Sequence, residues 1–424
     1  MKLTVNSSTL GGSVQPPTSK SHTIRSFIIG SLANGTSIIK NPLLSFDGLA
    51  PIEGCEQLGA HFEWNEDKSE VRIEGTNGEV QTPSNIVNIG NSGTSLYFLT
   101  SVCSLLPDTT VLTGDSSIIT RPILPLLEAL NNLGASCYTT RSGGTPPAII
   151  KGPLKGGETS ISGKTSQYTS SLLLASPLAS GDTIIYPDNL QEKPYVDMTL
   201  DYLTKSSISF NRDLDYKTFK IEGNQSYKPI TRNIPVDFSS AAFLIGGSVL
   251  TGDNVKITNL DFNDYQADKI FISILKDMGA DITLGSDYAL INKSKLEGKE
   301  IDLSQAPDLL PIMSVVATQA NGKTIIKNVE HARIKETDRI TCMNTELSKL
   351  GATIKEHRDG LEIIKSGLTG ATVTGYHDHR ITMSLIIAGL ISKGKTVVDT
   401  VESTKITYPN FIQDLLSLGA NIEH

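Results

Sequence analysis

Six short segments collect the side chains able to hold anions. They are Pro17-Thr18-Ser19-Lys20-Ser21-His22 with Arg25, Gly90-Asn91-Ser92-Gly93-Thr94, Lys164-Thr165-Ser166-Gln167, Val236-Asp237-Phe238-Ser239-Ser240, Ala306-Pro307-Asp308 and His377-Asp378-His379-Arg380. All six place Ser, Thr, Asn or Asp where a helix would begin, because a short polar side chain can accept an orphan backbone N–H there. Helix capping leaves Lys20, Arg25, Gln167, His379 and Arg380 unexplained. A helix start exposes N–H groups and about half a positive charge, so it attracts phosphate and carboxylate. Lys and Arg side chains at those ends strengthen the attraction. A second set begins the alternate helices: Arg121-Pro122, Lys193-Pro194-Tyr195, the run Arg333-Ile334-Lys335-Glu336-Thr337-Asp338-Arg339, and Thr404-Lys405-Ile406-Thr407-Tyr408-Pro409. A charge run is ordinarily a solvated helix face. The repeat register that aligns this one with Arg121, Lys193 and Lys405 argues for a functional one.

Those segments recur because the chain repeats. An apolar helical stretch, a polar turn and a short strand return six times, with strands starting at Thr36, Thr109, Thr183, Asn254, Thr324 and Thr396, spaced by 73, 74, 71, 70 and 72 residues. A second phrase interleaves, a helix closed by Leu/Met-Gly-Ala at 58–60, 133–135, 278–280, 350–352 and 418–420. The third copy is degenerate, Leu203-Thr204-Lys205-Ser206, with Ser in the place of the helix-ending Gly. Gly there supplies the left-handed residue that ends a helix. Each unit reads βαβαββ, too long for a thin solenoid repeat. Three units around one axis bury their helices and leave sheets outside, so the expected fold is a two-domain inside-out α/β barrel. The expected domains are residues 15–231 and residues 1–14 plus 232–424. The first strand pairs with the second domain, and polar Asn224–Pro235 is the hinge. A cleft between the halves is the default ligand site.

Composition narrows the partners. With 37 Lys+Arg against 45 Asp+Glu the formal charge is −8, which disfavours nucleic-acid binding and leaves room for a local basic pocket. At 38% hydrophobic residues the chain can bury real cores. Four cysteines show no CxxC spacing and read as buried reduced thiols, in keeping with a cytoplasmic setting. The longest apolar run, Met383–Ile391, is too short for a membrane span, and Met1–Ser7 lacks a signal-peptide core.

In Lys20-Ser21 with Arg25, Gly90-Asn91-Ser92-Gly93-Thr94, Ser166-Gln167-Tyr168, Lys193-Pro194-Tyr195, Lys335-Glu336-Thr337-Asp338-Arg339 and Asp378-His379-Arg380, in order on a sixfold repeat, the chain resembles the 5-enolpyruvylshikimate-3-phosphate synthase (3-phosphoshikimate 1-carboxyvinyltransferase) family along its whole length. The resemblance implies transfer of a carboxyvinyl group from phosphoenolpyruvate to the 5-hydroxyl of shikimate 3-phosphate, with no metal or organic cofactor. It implies that Lys20, Ser21, Arg25, Thr165, Ser166, Gln167, Tyr195, Asp308 and Lys335 hold shikimate 3-phosphate. Lys20, Gly93, Arg121, Gln167, Arg339, Arg380 and Lys405 surround phosphoenolpyruvate. Lys20, Asp308 and Glu336 become the acid/base groups, with His379 orienting Glu336 or donating a proton. The protein then acts as a monomer whose halves close on the two anions.

Four positions depart from the family pattern. Tyr97 stands where Arg is usual, Glu192 where Ser is usual, Val236 where Gly is common, and Leu44-Ser45-Phe46-Asp47 lacks a second acid. Glu192 is expected to turn away from the substrate phosphate or to pair with a Lys or Arg. UDP-N-acetylglucosamine enolpyruvyl transferases share the repeat but carry a Cys in the loop before the second unit's Arg-Pro, here Asp115–Thr120 without one. RNA terminal-phosphate cyclases use related units but need a nucleotide site not found here. A non-catalytic anion-binding scaffold would not require Asp308 and Glu336.

Overall fold

The first helix of each repeat has small or apolar residues on nearly every face, so it can only lie inside. In the computed structural model, which describes residues 1–423, helix Phe238–Thr251 is buried at every position. Helix His379–Ile391 is buried everywhere except its last residue. Neighbouring helices touch through small side chains: Ser101 and Ser171 share a 2.5 Å hydrogen bond between Gly93–Cys103 and Ser166–Ala175. The second helix of a repeat is one-sided. Ile270–Asp277 buries Phe271, Ile272 and Leu275, the spacing of a single helical face.

Six four-stranded sheets share one order. In the second repeat, Val87–Asn88 runs parallel to Thr109–Thr113, which pairs antiparallel with Ala148–Lys151, itself antiparallel to Ser136–Thr139. The helix between the first two strands is the crossover that a parallel pair needs. Three sheets are completed by strands from elsewhere in the chain. Leu10–Val14 lies parallel to Gly252–Thr258, and Leu3–Asn6 sits between Thr396–Val398 and Asn421–Glu423. Thr231–Asn233 lies parallel to Thr36–Lys40. The chain accordingly divides into two compact units, Thr18–Ile234, and Met1–Pro17 with the residues from Pro235 onward.

Two local expectations are refined. Asn224–Pro235, the expected hinge, contains the boundary between the two units at Ile234/Pro235, but up to there it is anchored, with Ile230 and Ile234 buried and Tyr227 buried with its hydroxyl on the Leu174 carbonyl at 2.7 Å. Apolar side chains at 227, 230 and 234 tie the segment down while its polar residues face outward. In the third repeat the left-handed residue is Ser207 (φ 62°), one place beyond Ser206. Its counterparts Gly59, Gly134, Gly279, Gly351 and Gly419 lie at φ 92–104°. The helix-closing bond from Ile208 N to Leu203 O matches that from Ala60 N to Cys55 O and fixes this register.

Cys55, Cys103 and Cys137 are buried free thiols, and Cys342 is half-buried. Burial pushes the first two up to about 12, so they stay protonated and inert. Among the described residues, no helix is long and apolar enough to cross a membrane.

Candidate active site

In the unit Thr18–Ile234, three buried helices start with hydroxyl residues. Ser92 accepts from Ser95 N and Thr165 from Gln167 N, whereas Ser19 precedes helix Lys20–Leu32 without a side-chain cap bond. Arg25, one turn into the first helix, is 2% exposed. Its guanidinium donates to Thr199 Oγ1 at 2.9 Å, to the Ser21 carbonyl at 3.1 Å and to the Tyr195 carbonyl at 3.0 Å. It also lies over the Phe98 ring at 5.1 Å. Burial lowers it to about 10, so it remains cationic at neutral pH. Lys20 pairs with Asp47 at 2.9 Å.

The second and third helix starts meet through Gln167 Nε2, which donates to Thr94 Oγ1 at 3.0 Å. A Cβ on Gly93 would lie 3.7 Å from Arg121 Cζ, so the buried Arg121 guanidinium rests against bare backbone. Tyr97 is buried, stacks edge-on with Tyr168 at 5.0 Å, and donates to the Pro122 carbonyl at 3.2 Å. Tyr168 donates to the same carbonyl at 2.6 Å, and the pair braces the residue after Arg121. Glu192 does not turn away from the residues expected to hold phosphate. Its Oε2 accepts from Thr165 Oγ1, Ser166 N and Ser166 Oγ. A helix start favours any nearby anion, and the carboxylate takes that place.

The other unit is organised differently. Arg339 is 1% exposed and its guanidinium meets three carboxylates: Asp378 at 2.8 Å, Asp308 at 2.7 Å and Glu336 at 2.5 Å. Arg380 holds the other oxygen of Asp308 at 2.9 Å. Burial alone would lower both arginines; Asp378 above all on Arg339, and Asp308 on Arg380, reverse that and raise them. Burial alone would raise Asp378, and the Arg339 charge more than reverses it, leaving this carboxyl below its usual range. Two of the three buried helices here are capped by acids. Asp237 accepts from Ser240 N, and Asp378 from Arg380 N. The expected cap of the third is absent. A short turn, Pro307–Leu309, leads into Leu310–Ala317 from Ala306, and Asp308 faces the arginines instead.

The structure thus joins Arg25, Ser21 and Tyr195; Thr165, Ser166 and Glu192; Gly93 and Arg121; and Asp308, Glu336, Arg339 and Arg380. Three further expected residues differ in burial. Lys405 is exposed on the turn Val401–Ile406, outside the hydrogen-bonded Arg339 cluster. That turn is tied to helix His379–Ile391 by Thr382 and Ser403 hydroxyls at 2.9 Å. His379 is fully buried, and Lys335 is half-buried on the loop before helix Arg339–Lys349. Arg333, from the same charge run, belongs to an outer network with Asp338 and Glu356. Two buried acids have roles that the sequence did not show. Asp378 looked like a cap and is also the chief partner of Arg339. Asp268, bonded to Ser239 Oγ, is pushed up to about 7 by burial and by the Asp308 charge.

The chain matches the family described as EPSP synthase (3-phosphoshikimate 1-carboxyvinyltransferase) over residues 5–415. A 3-phosphoshikimate 1-carboxyvinyltransferase of Acetivibrio thermocellus is 47% identical over 422 residues, covering 100% of this chain and 99% of its own length. One from Methanocaldococcus jannaschii is 44% identical, covering 98% and 97%. A solved EPSP synthase of Acinetobacter baumannii superposes with a TM-score of 0.83 at 28% identity, over 100% of this chain and 99% of that one. With this match along its length, the chain belongs to the EPSP synthase (3-phosphoshikimate 1-carboxyvinyltransferase) family.

Proposed function

We propose that this chain transfers the carboxyvinyl group of phosphoenolpyruvate to the 5-hydroxyl of shikimate 3-phosphate and releases phosphate. The hydroxyl oxygen adds to C2 of phosphoenolpyruvate while C3 gains a proton. The tetrahedral intermediate then breaks its C2–O bond to phosphate as C3 gives a proton back, and the proton lost by the attacking hydroxyl leaves on the phosphate, so protons balance over the two steps. Lys20, Asp308 and Glu336 are the acid/base groups. Ser21, Arg25, Thr165, Ser166, Gln167, Tyr195 and Lys335 hold shikimate 3-phosphate, and Asp308 accepts from its hydroxyl. Lys20, Gly93, Arg121, Gln167, Arg339, Arg380 and Lys405 hold phosphoenolpyruvate. In this reading Gly93 is glycine because a side chain would fill the space where a small phosphate meets the helix backbone.

One observation carries the reading beyond anion binding. Asp308 and Glu336 are both fixed on the buried Arg339 guanidinium. An anion-binding scaffold gains nothing from two carboxylates beside its cations, whereas proton transfer needs groups already in position. All the named residues are on one chain, so the reading needs no partner subunit. The four free thiols suit the reducing cytoplasm. The test is phosphate release from phosphoenolpyruvate with shikimate 3-phosphate as acceptor, against UDP-N-acetylglucosamine. Release with the first alone is expected, and no release with either leaves only a scaffold.

A further inference from the structure

The donors assigned above to the substrate phosphate already have an anion on them. Glu192 is 3% exposed, and its Oε2 accepts from Thr165 Oγ1 at 3.1 Å and from Ser166 N and Oγ, both at 2.9 Å. Three donors converging on one oxygen suit a phosphate oxygen as much as a carboxylate oxygen. The helix they open, Ser166–Ala175, favours either anion through its free N–H groups. Glu192 is delivered there by a left-handed backbone, φ 53° and ψ 38°, immediately before helix Lys193–Lys205. That conformation is uncommon for a residue with a side chain and persists only when its surroundings hold it. The same helix brings the Tyr195 carbonyl to Arg25, and the Glu192 charge is felt at that guanidinium.

We propose that Glu192 is a built-in occupant of the substrate-phosphate seat, displaced when a phosphate ester binds, so that it lowers the affinity of ligands that carry a phosphate and leaves that of ligands without one untouched. The inference rests on the functional reading above. A ligand that needs an occupied seat binds with its intrinsic affinity reduced by the fraction of time the seat is open. A phosphate monoester brings nearly two charges and three acceptor oxygens, so it can displace a single carboxylate. Glu192 therefore costs affinity for shikimate 3-phosphate by the fraction of time the seat is closed, and costs nothing to a ligand that does not use the seat.

The test compares shikimate 3-phosphate with shikimate, which lacks the phosphate, by calorimetric titration of the full chain. Glu192→Gln keeps the shape and removes the charge; Glu192→Ser offers a small hydroxyl and guards against misfolding of the first. Both variants are expected to bind shikimate 3-phosphate about tenfold more tightly, ~1.4 kcal/mol, with shikimate affinity unchanged. Unchanged or weaker binding of shikimate 3-phosphate in both variants overturns the proposal, since Glu192 would then be a fixed support for Ser166. So does an equal shift for both ligands, which marks a general rearrangement. In a crystal of the unaltered protein with inorganic phosphate, the carboxylate is expected to have left Ser166 N. A carboxylate still in place beside bound phosphate also overturns it. Unaltered protein that neither binds shikimate 3-phosphate nor releases phosphate refutes the functional reading as well; active protein with unimproved variants refutes this inference alone.

Discussion

The two units hold buried arginines in opposite ways. In Thr18–Ile234, Arg25 is fixed by a hydroxyl and two backbone carbonyls, and the helix starts carry the neutral residues Ser19, Ser92 and Thr165. In the other unit, Arg339 and Arg380 are fixed by carboxylates, and two helix starts carry Asp237 and Asp378. An acid at a helix start already compensates its dipole. The picture of six equivalent anion-attracting helix ends therefore fails: two starts of the second unit are capped by acids, and in the first unit the Ser166 start is met by the Glu192 carboxylate although its cap is neutral. Neutral partners leave a cation's charge available to a ligand. Charged partners fix the cation's geometry and keep acids beside it.

The sharpest way to break this contrast is Arg339→Met. It strips the common counter-ion from Asp308, Glu336 and Asp378 in a buried place, and is expected to cost about 3–5 kcal/mol of stability and to abolish phosphate release. A urea midpoint close to that of the unaltered protein would show that the carboxylates do not depend on Arg339. Arg25→Lys follows. A planar fork meeting Thr199, Ser21 and Tyr195 cannot be replaced by a point charge. We expect KM for shikimate 3-phosphate to rise roughly 100-fold, about 2.7 kcal/mol, with a much smaller loss of stability. A lysine variant with normal KM would show that charge alone suffices in this unit.

Asp268 measures the surplus of acid in the second unit. Its carboxyl is raised from 3.8 to about 7, by burial first and by Asp308 next. Between those values the folded protein holds a proton that the unfolded chain has lost, so stability falls as pH rises through the window and levels off above it. The slope reaches at most about 1.4 kcal/mol per pH unit. Asp268→Asn should flatten it in denaturant midpoints taken from pH 4 to 8, and an unaltered slope would place the cause elsewhere. The smallest structural effect belongs to Gly93→Ala. The added methyl makes only ordinary contact with Arg121, so stability should change by less than about 0.5 kcal/mol. KM for phosphoenolpyruvate should nonetheless rise roughly tenfold, ~1.4 kcal/mol. An unchanged KM would move that substrate away from Gly93.

The amino-acid order by itself determined the sixfold repeat, the two kinds of helix in each unit, and the positions of the charged residues near helix starts. These follow from periodicity and capping, which act within about one helical turn. The sequence already sent the opening strand to the second domain, but only the tertiary structure decided that it forms two strands, Leu3–Asn6 and Leu10–Val14, in the sheets of the sixth and fourth repeats, and that Thr231–Asn233 completes the sheet of the first. It also decided that Asp378 meets Arg339, that Glu192 meets Ser166, and that Lys405 stays exposed. Arg339 and Asp378 belong to different repeats, and Glu192 and Ser166 to different helices of one repeat. Their meeting depends on how buried helices pack, and no local pattern records which acid will reach which donor.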